Sequence, residues 1–168
     1  MAQENLNNKE AIEKLKSIVD QIDIGILCSF NENSDYPHAV PMSRQEVDKE
    51  GNIWYICSAE SDTYKNLDKS PLVSVLYSDP KNFTFLSING KVILTRDQQR
   101  IDRYWNKMME GWFEKGKEDP NIRLIKVLPD DAHYWDSDTN MIATLVKMVR
   151  NSISGNNESI GKEGDLNI

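Results

Sequence analysis

The sequence predicts a mainly β protein: a closed barrel of antiparallel strands with a few helices packed outside it. Three observations carry this. Apolar residues alternate with period two over several short runs. Turn-rich segments at 31–37, 48–52 and 78–82 join those runs at hairpin spacing. Few stretches carry the helical period, and they interrupt the strands rather than alternating with them. A chain of 168 residues suits one domain. Residues 9–150 carry the pattern, between a disordered start at 1–8 and a disordered, dispensable tail at 151–168 that is rich in Asn, Ser, Gly and charge.

The elements follow in order. Ile12, Leu15, Ile18, Val19 and Ile22 form one stripe opposite Lys and Glu, an amphipathic helix with Asn8 as its N-cap. The period changes to two from Ile22 to Phe30, a strand. His38 to Val47 is a second strand, in which Pro41 removes one ladder donor. Ile53 to Ser58 is a third, and Ser61 to Leu67 a short helix closed by Ser70-Pro71. Leu72 to Tyr77 is a fourth strand, and Phe83 to Thr95 the longest. Asn89-Gly90 inside it reads either as a tight hairpin turn or as a bend in one long strand. The bend is preferred, because a turn would leave two short strands with no other pairing signal. Thr95-x-x-Gln98 reads as a capping box for a helix carrying Ile101, Trp105, Met108 and Trp112 and ending at Gly116. Two short strands, Ile122–Leu128 and Ala132–Asp136, and a last helix at Met141–Val149 complete the pattern.

Composition excludes several functions. The net charge of −7 gives no basic footprint for nucleic acid. No apolar run approaches the ~20 residues that span a bilayer, and the start lacks a leader pattern, so a cytoplasmic protein is expected. Cys28 and Cys57 lie in apolar strand-like runs and read as reduced, buried thiols. No Cys and His cluster has the spacing of a metal site.

Catalytic constellations are scarce. His38 and His133 stand beside no nucleophile, and there is no phosphate loop, nucleophile elbow or carboxylate pair. One segment, Cys57-Ser58-Ala59-Glu60-Ser61-Asp62-Thr63-Tyr64-Lys65, leaves a strand and opens a helix. Its free N–H groups, hydroxyls and Lys65 suit an anion, although Ser61 serves equally as a plain helix cap. Among the four tryptophans, Trp105 and Trp112 read as core, whereas Trp135 ends a strand among polar residues, where an indole can flank a planar ring.

Pro41-Met42-Ser43 followed by Glu46-Val47-Asp48-Lys49-Glu50-Gly51-Asn52-Ile53-Trp54-Tyr55 resembles the second and third strands of the general stress branch of the pyridoxamine 5'-phosphate oxidase-like proteins. Ser61 through Pro71, Tyr77-Ser78-Asp79-Pro80, Ser87-Ile88-Asn89-Gly90, Trp105-Asn106, Trp112-Phe113, Gly116-Lys117-Glu118-Asp119-Pro120 and Tyr134-Trp135-Asp136 match later family features in order. The resemblance implies a six-stranded split barrel and a homodimer with flavin mononucleotide (FMN) at the subunit interface. It places Met42, Ser43, Ile56 and Cys57 beside the flavin ring and Ser61, Thr63 and Lys65 at the phosphate. Trp135 would approach from the partner subunit. The dimer surface is expected around Met42, Trp112 and Trp135. Asp62 and Thr63 stand where the oxidases carry Arg and Lys, which implies weakly held flavin. Asp136-Ser137-Asp138-Thr139-Asn140 lacks the Arg-x-His of the vitamin B6 oxidase, so that reaction is not expected. The expected function is a flavin-dependent oxidoreductase acting on a small molecule. The alternatives are a non-enzymatic flavin-binding or redox-sensing dimer, a haem-binding variant with His38 or His133 as axial ligand, and a cofactor-free dimer.

Overall fold

The computed structural model describes residues 2–31, 34–137 and 161–168. Two short strands, β1 (Ala2–Gln3) and β2 (Leu6–Asn7), lead into α1 (Asn8–Gln21), whose apolar stripe buries Ala11, Leu15, Ile18 and Val19. Its N-cap is Asn7, one residue before the expected Asn8. Next come β3 (Ile24–Ser29), β4 (His38–Val47), β5 (Ile53–Ser58) and α2 (Asp62–Lys69). They are followed by β6 (Leu72–Asp79), β7 (Thr84–Thr95), α3 (Gln98–Tyr104) and β8 (Ile122–Asp136).

Six strands close the barrel in the order β8-β5-β4-β3-β6-β7, with β7 pairing back onto β8. Every pairing in the ring is antiparallel. Leu27, Val75, Leu86, Ile88, Val127 and Tyr134 fill the interior, and the hydroxyls of Tyr55 and Tyr77 meet there at 2.5 Å. A second cluster outside the barrel packs α3 against Trp54, Ile122 and Leu124.

Gly90 settles the Asn89-Gly90 question. β7 is one strand, and its register against β8 shifts between Asn89 and Gly90. A Cβ on Gly90 would lie 2.1 Å from the Leu128 carbonyl oxygen, so the bend needs glycine. Across that bend β8 also runs through as a single strand rather than two. α3 is capped by Asp97, which accepts from the Gln99 and Arg100 amides, and not by Thr95. The helix stops at Trp105, because Asn106 accepts from the Met108 amide and starts a 3-10 turn at Lys107–Gly111. Trp112, expected in the core, is therefore 83% exposed, while Trp105 packs against the second cluster.

Both ends of the chain are more ordered than expected. β9 (Lys162–Asn167) pairs antiparallel with Ala132–Asp136 of β8 and parallel with β1 and β2. The second half of β8 runs past the end of β5 and would otherwise have an open edge. Leu166 reaches the core from β9. A Cβ on Gly164 would sit 1.9 Å from the Glu4 carbonyl oxygen, so the clasp closes over a glycine. Residues 151–160 and the expected helix at Met141–Val149 lie outside the described residues.

Candidate functional site

The barrel is split between β4 and β5. Their ladder starts at Val47↔Ile53, passes a bulge between Arg44 and Glu46, and stops at Arg44↔Tyr55. Beyond that point β4 pairs only with β3, and β5 only with β8. Two strand edges thus face each other without bonding, each presenting backbone donors and acceptors. Pro41, which has no N–H, lies on this singly paired part of β4. Met42 and Ser43 are the last two residues of one lip, and Ile56 and Cys57 the first two of the other.

The four side chains divide by pleat. Met42 and Cys57 point to the barrel core, Ile56 to the second cluster, and Ser43 to solvent. Cys57 is buried, and burial pushes its thiol up to about 12 against the opposing influences of a Ser61 hydrogen bond and the Arg123 charge. It is a packed thiol rather than a nucleophile. Arg123, opposite Cys57 in the β5–β8 ladder, puts its guanidinium 5.8 Å from the Tyr64 ring centroid, a cation beside α2 that no local pattern singles out.

At the start of α2, Ser61 accepts from the Tyr64 amide at 3.1 Å and donates to the Ser58 carbonyl at 2.7 Å. Thr63 faces inward and is 5% exposed. Lys65 lies outside, 3.9 Å from Asp62. Next to it a polar pocket of about 460 Å³ opens between the exposed face of α2 and the β3–β4 connection. Lys65, Lys69 and Asp62 line one wall, Tyr36 and His38 the other. The i, i+4 spacing of the lysines was visible in the sequence; the opposite wall was not, because it comes from a loop distant along the chain.

These residues fit a flavin nucleotide. The lips supply unpaired backbone groups of the kind that bond a flavin's polar edge, and the pocket at the end of the split supplies cations for a phosphate.

Trp135 lies elsewhere. It sits on the outer face of β8, opposite Phe85 on β7 and tilted against the ring of His133 at 4.5 Å between centroids; His133 bonds Asp165 of β9 at 2.7 Å. From Phe85 the row continues to Ser78 on β6 and, by extension of the ladders, to Ile24 and Ser43. Trp135 on β8 and Ser43 on β4 are thus four strands apart along this row, with β5 between them on the other side of the ring.

The alternation in β3 is inverted from what composition suggests. Gly25, Leu27 and Ser29 face the core, whereas Ile24, Ile26 and Phe30 are 57%, 40% and 44% exposed. Tyr77 explains Gly25: a Cβ there would lie 2.8 Å from the Tyr77 ring. Leu72 and Leu76 on β6 extend the outward apolar face. Met42 cannot belong to an exposed patch, since it packs against the core.

Known proteins share this architecture. A general stress protein 26 from Jannaschia sp. CCS1 superposes with a TM-score of 0.76 at 19% identity, covering 95% of this chain and 98% of that one. The general stress FMN/FAD binding protein of Xanthomonas citri superposes with a TM-score of 0.63 at 28% identity, covering 77% of this chain and 90% of that one. The protein bli-3 of Neurospora crassa is 19% identical over 119 residues, 66% of this chain and 57% of that protein's length. The model of the family described as pyridoxamine 5'-phosphate oxidase like matches residues 10–159. With its six-stranded antiparallel barrel and that match over most of its length, the chain belongs to the pyridoxamine 5'-phosphate oxidase-like family.

Proposed function

We propose that the chain is a flavin-binding protein that works as a homodimer, takes FMN, and transfers electrons to or from a small molecule as a flavin-dependent oxidoreductase. The observation that carries the reading is the split between β4 and β5. A barrel otherwise closed by hydrogen bonds leaves two facing edges unbonded, and a planar ligand with polar edges satisfies them. The relative from Xanthomonas citri, described as FMN/FAD binding, supports the same reading.

The outward apolar face of β3 and β6 supports the dimer: Ile24, Ile26, Leu72 and Leu76 are exposed there, a patch of the kind that marks an interface. In that dimer Trp135 of one copy would approach the site of the other, so that each site is completed by the partner's indole. Bound flavin supplies the redox chemistry. The chain positions it through the lips and shields it with Trp135. Asp165 holds His133, which stands beside that indole and would exchange a proton with a substrate bound against it. A non-catalytic flavin binder differs from this reading only in turnover, which a nicotinamide reductant and stopped-flow absorbance at flavin wavelengths would reveal.

The direct test is the ligand itself. Protein denatured after purification, or after incubation with FMN and gel filtration, should release flavin identified by absorption and mass. Absence of both released flavin and fluorescence quenching at ~100 μM protein ends the reading.

A further inference from the structure

The geometry points to a phosphate seat one helical face away from the start of α2: Lys65 and Lys69 hold the phosphate, His38 and Tyr36 close the opposite wall, and the site prefers a flavin monophosphate over the uncharged flavin. This rests on the flavin reading above and changes where in the chain the charged end is held.

The start of α2 is a poor receiver. The single Ser61 hydroxyl proton is committed to the Ser58 carbonyl, and its oxygen already caps Tyr64. Thr63 is turned into the fold. Asp62 is exposed and repels a dianion. The next face is different. Lys65 and Lys69 are one turn apart and line the same cavity. The bond of Lys65 to Asp62 is long and solvent-exposed, so it yields readily to a stronger acceptor. Lys69 makes no ion pair among the described residues. In a chain of net charge −7 this wall, with two ammonium groups to one carboxylate, is locally positive.

Side-chain bonds hold both walls in place. Asn66 anchors α2 by donating to Ser29 in β3 at 3.3 Å, which fixes the lysine face. The opposite wall is held by Ser34, which bonds both the amide and the carbonyl of Tyr36. A volume of about 460 Å³ holds a phosphate and the polyol that carries it. The pocket also lies where the split ends. His38 is the first residue of the β4 lip, and α2 opens just after the β5 lip. A ring between the lips would therefore direct its tail here.

The test compares FMN with riboflavin, which differ only in the phosphate, by fluorescence quenching on the full chain. Wild type should bind FMN at least tenfold more tightly. Lys65→Ala with Lys69→Ala should bring FMN down to the riboflavin level and leave riboflavin unchanged, at about tenfold per charge-assisted contact. Lys49→Ala, in the turn between β4 and β5, should change neither. Equal affinities in wild type, or a ratio that survives the double substitution, overturns the phosphate seat while the flavin reading stands. If neither flavin binds, that reading fails, and inorganic phosphate decides the seat. A thermal shift with phosphate over chloride at matched ionic strength, lost in the double variant, supports it; no shift overturns it.

Discussion

Ending the chain after Arg150 should strongly destabilise it. The truncation removes β9, and with it the partner of Ala132–Asp136 and of β1 and β2. Leu166, 1% exposed, is the largest single loss. Removing a buried leucine side chain costs roughly 2–5 kcal/mol. Ala132 and Tyr134, now covered by β9, would meet water at ~25 cal/mol per Å² of apolar surface. The bonds from the Tyr134 hydroxyl to the Glu4 carbonyl and from Lys162 to Glu4 add little net energy each, but they hold β1 in place. A total near 4–6 kcal/mol is a large share of the ~5–15 kcal/mol that holds a domain together. At ~2–4 °C per kcal/mol for a chain of this size, the Tm should fall by roughly 10–20 °C. Leu166→Ala alone should cost about 3 kcal/mol, or roughly 6–12 °C. Circular dichroism melts of the two variants give the answer. A truncated chain that melts within ~2 °C of the full one refutes the argument, and the clasp is then a contact without weight.

Alkaline pH should weaken the fold. Burial pushes Cys57 and Tyr77 up to about 12, so the folded chain holds those protons when the unfolded chain has released them. The stabilisation is whole below pH 9 and is lost progressively toward pH 12, at ~1.4 kcal/mol per pH unit for each group past its unfolded value; a urea midpoint that does not fall between pH 8 and pH 10.5 contradicts this. The outward face should be the dimer contact. Ile26→Asp, in the row with Leu76 and Pro41, should turn a dimer into a monomer by size-exclusion light scattering, and a wild type that is itself monomeric at micromolar concentration removes the shared-site proposal.

The barrel was legible because its strands alternate and its turns are marked, and α2 because Ser61 stands at its start. What escaped was set by partners distant along the chain. β9 has a plain polar composition and becomes a strand because β8 outruns β5 and Gly164 admits the Glu4 backbone. Trp105 ends α3 because the Asn106 side chain starts a new turn, a local competition that helical spacing alone does not register. In β3 the apolar residues alternate as expected, but the sign of the alternation is opposite to a simple core reading. Gly25 and Ser29 go inside because Tyr77 and Asn66 occupy the space there, and Ile24 and Ile26 are left outside. Of the candidate site, the lips could be placed from the sequence, since they lie on two consecutive strands. The pocket wall could not, since no local pattern brings residues 34–38 to α2.

The split itself has a local cause. At the bulge between Arg44 and Glu46, Arg44 turns to Asp20 and Asp23 at the end of α1, at 3.3 Å and 2.7 Å. The same stretch of backbone is tied down by the bond from the Arg44 amide to the Asp23 carbonyl at 3.0 Å. β4 is thus pulled toward α1 at the residue where its ladder with β5 ends, and Pro41 further on has no amide to offer a neighbour. The buried Arg44 Nε is left without a partner, a cost the fold carries at this one position among the described residues. A closed six-strand barrel would satisfy both edges by pairing β4 to β5 along their whole length. This chain instead ends the pairing at Arg44, where the bulge and the ion pairs to Asp20 and Asp23 draw β4 toward α1.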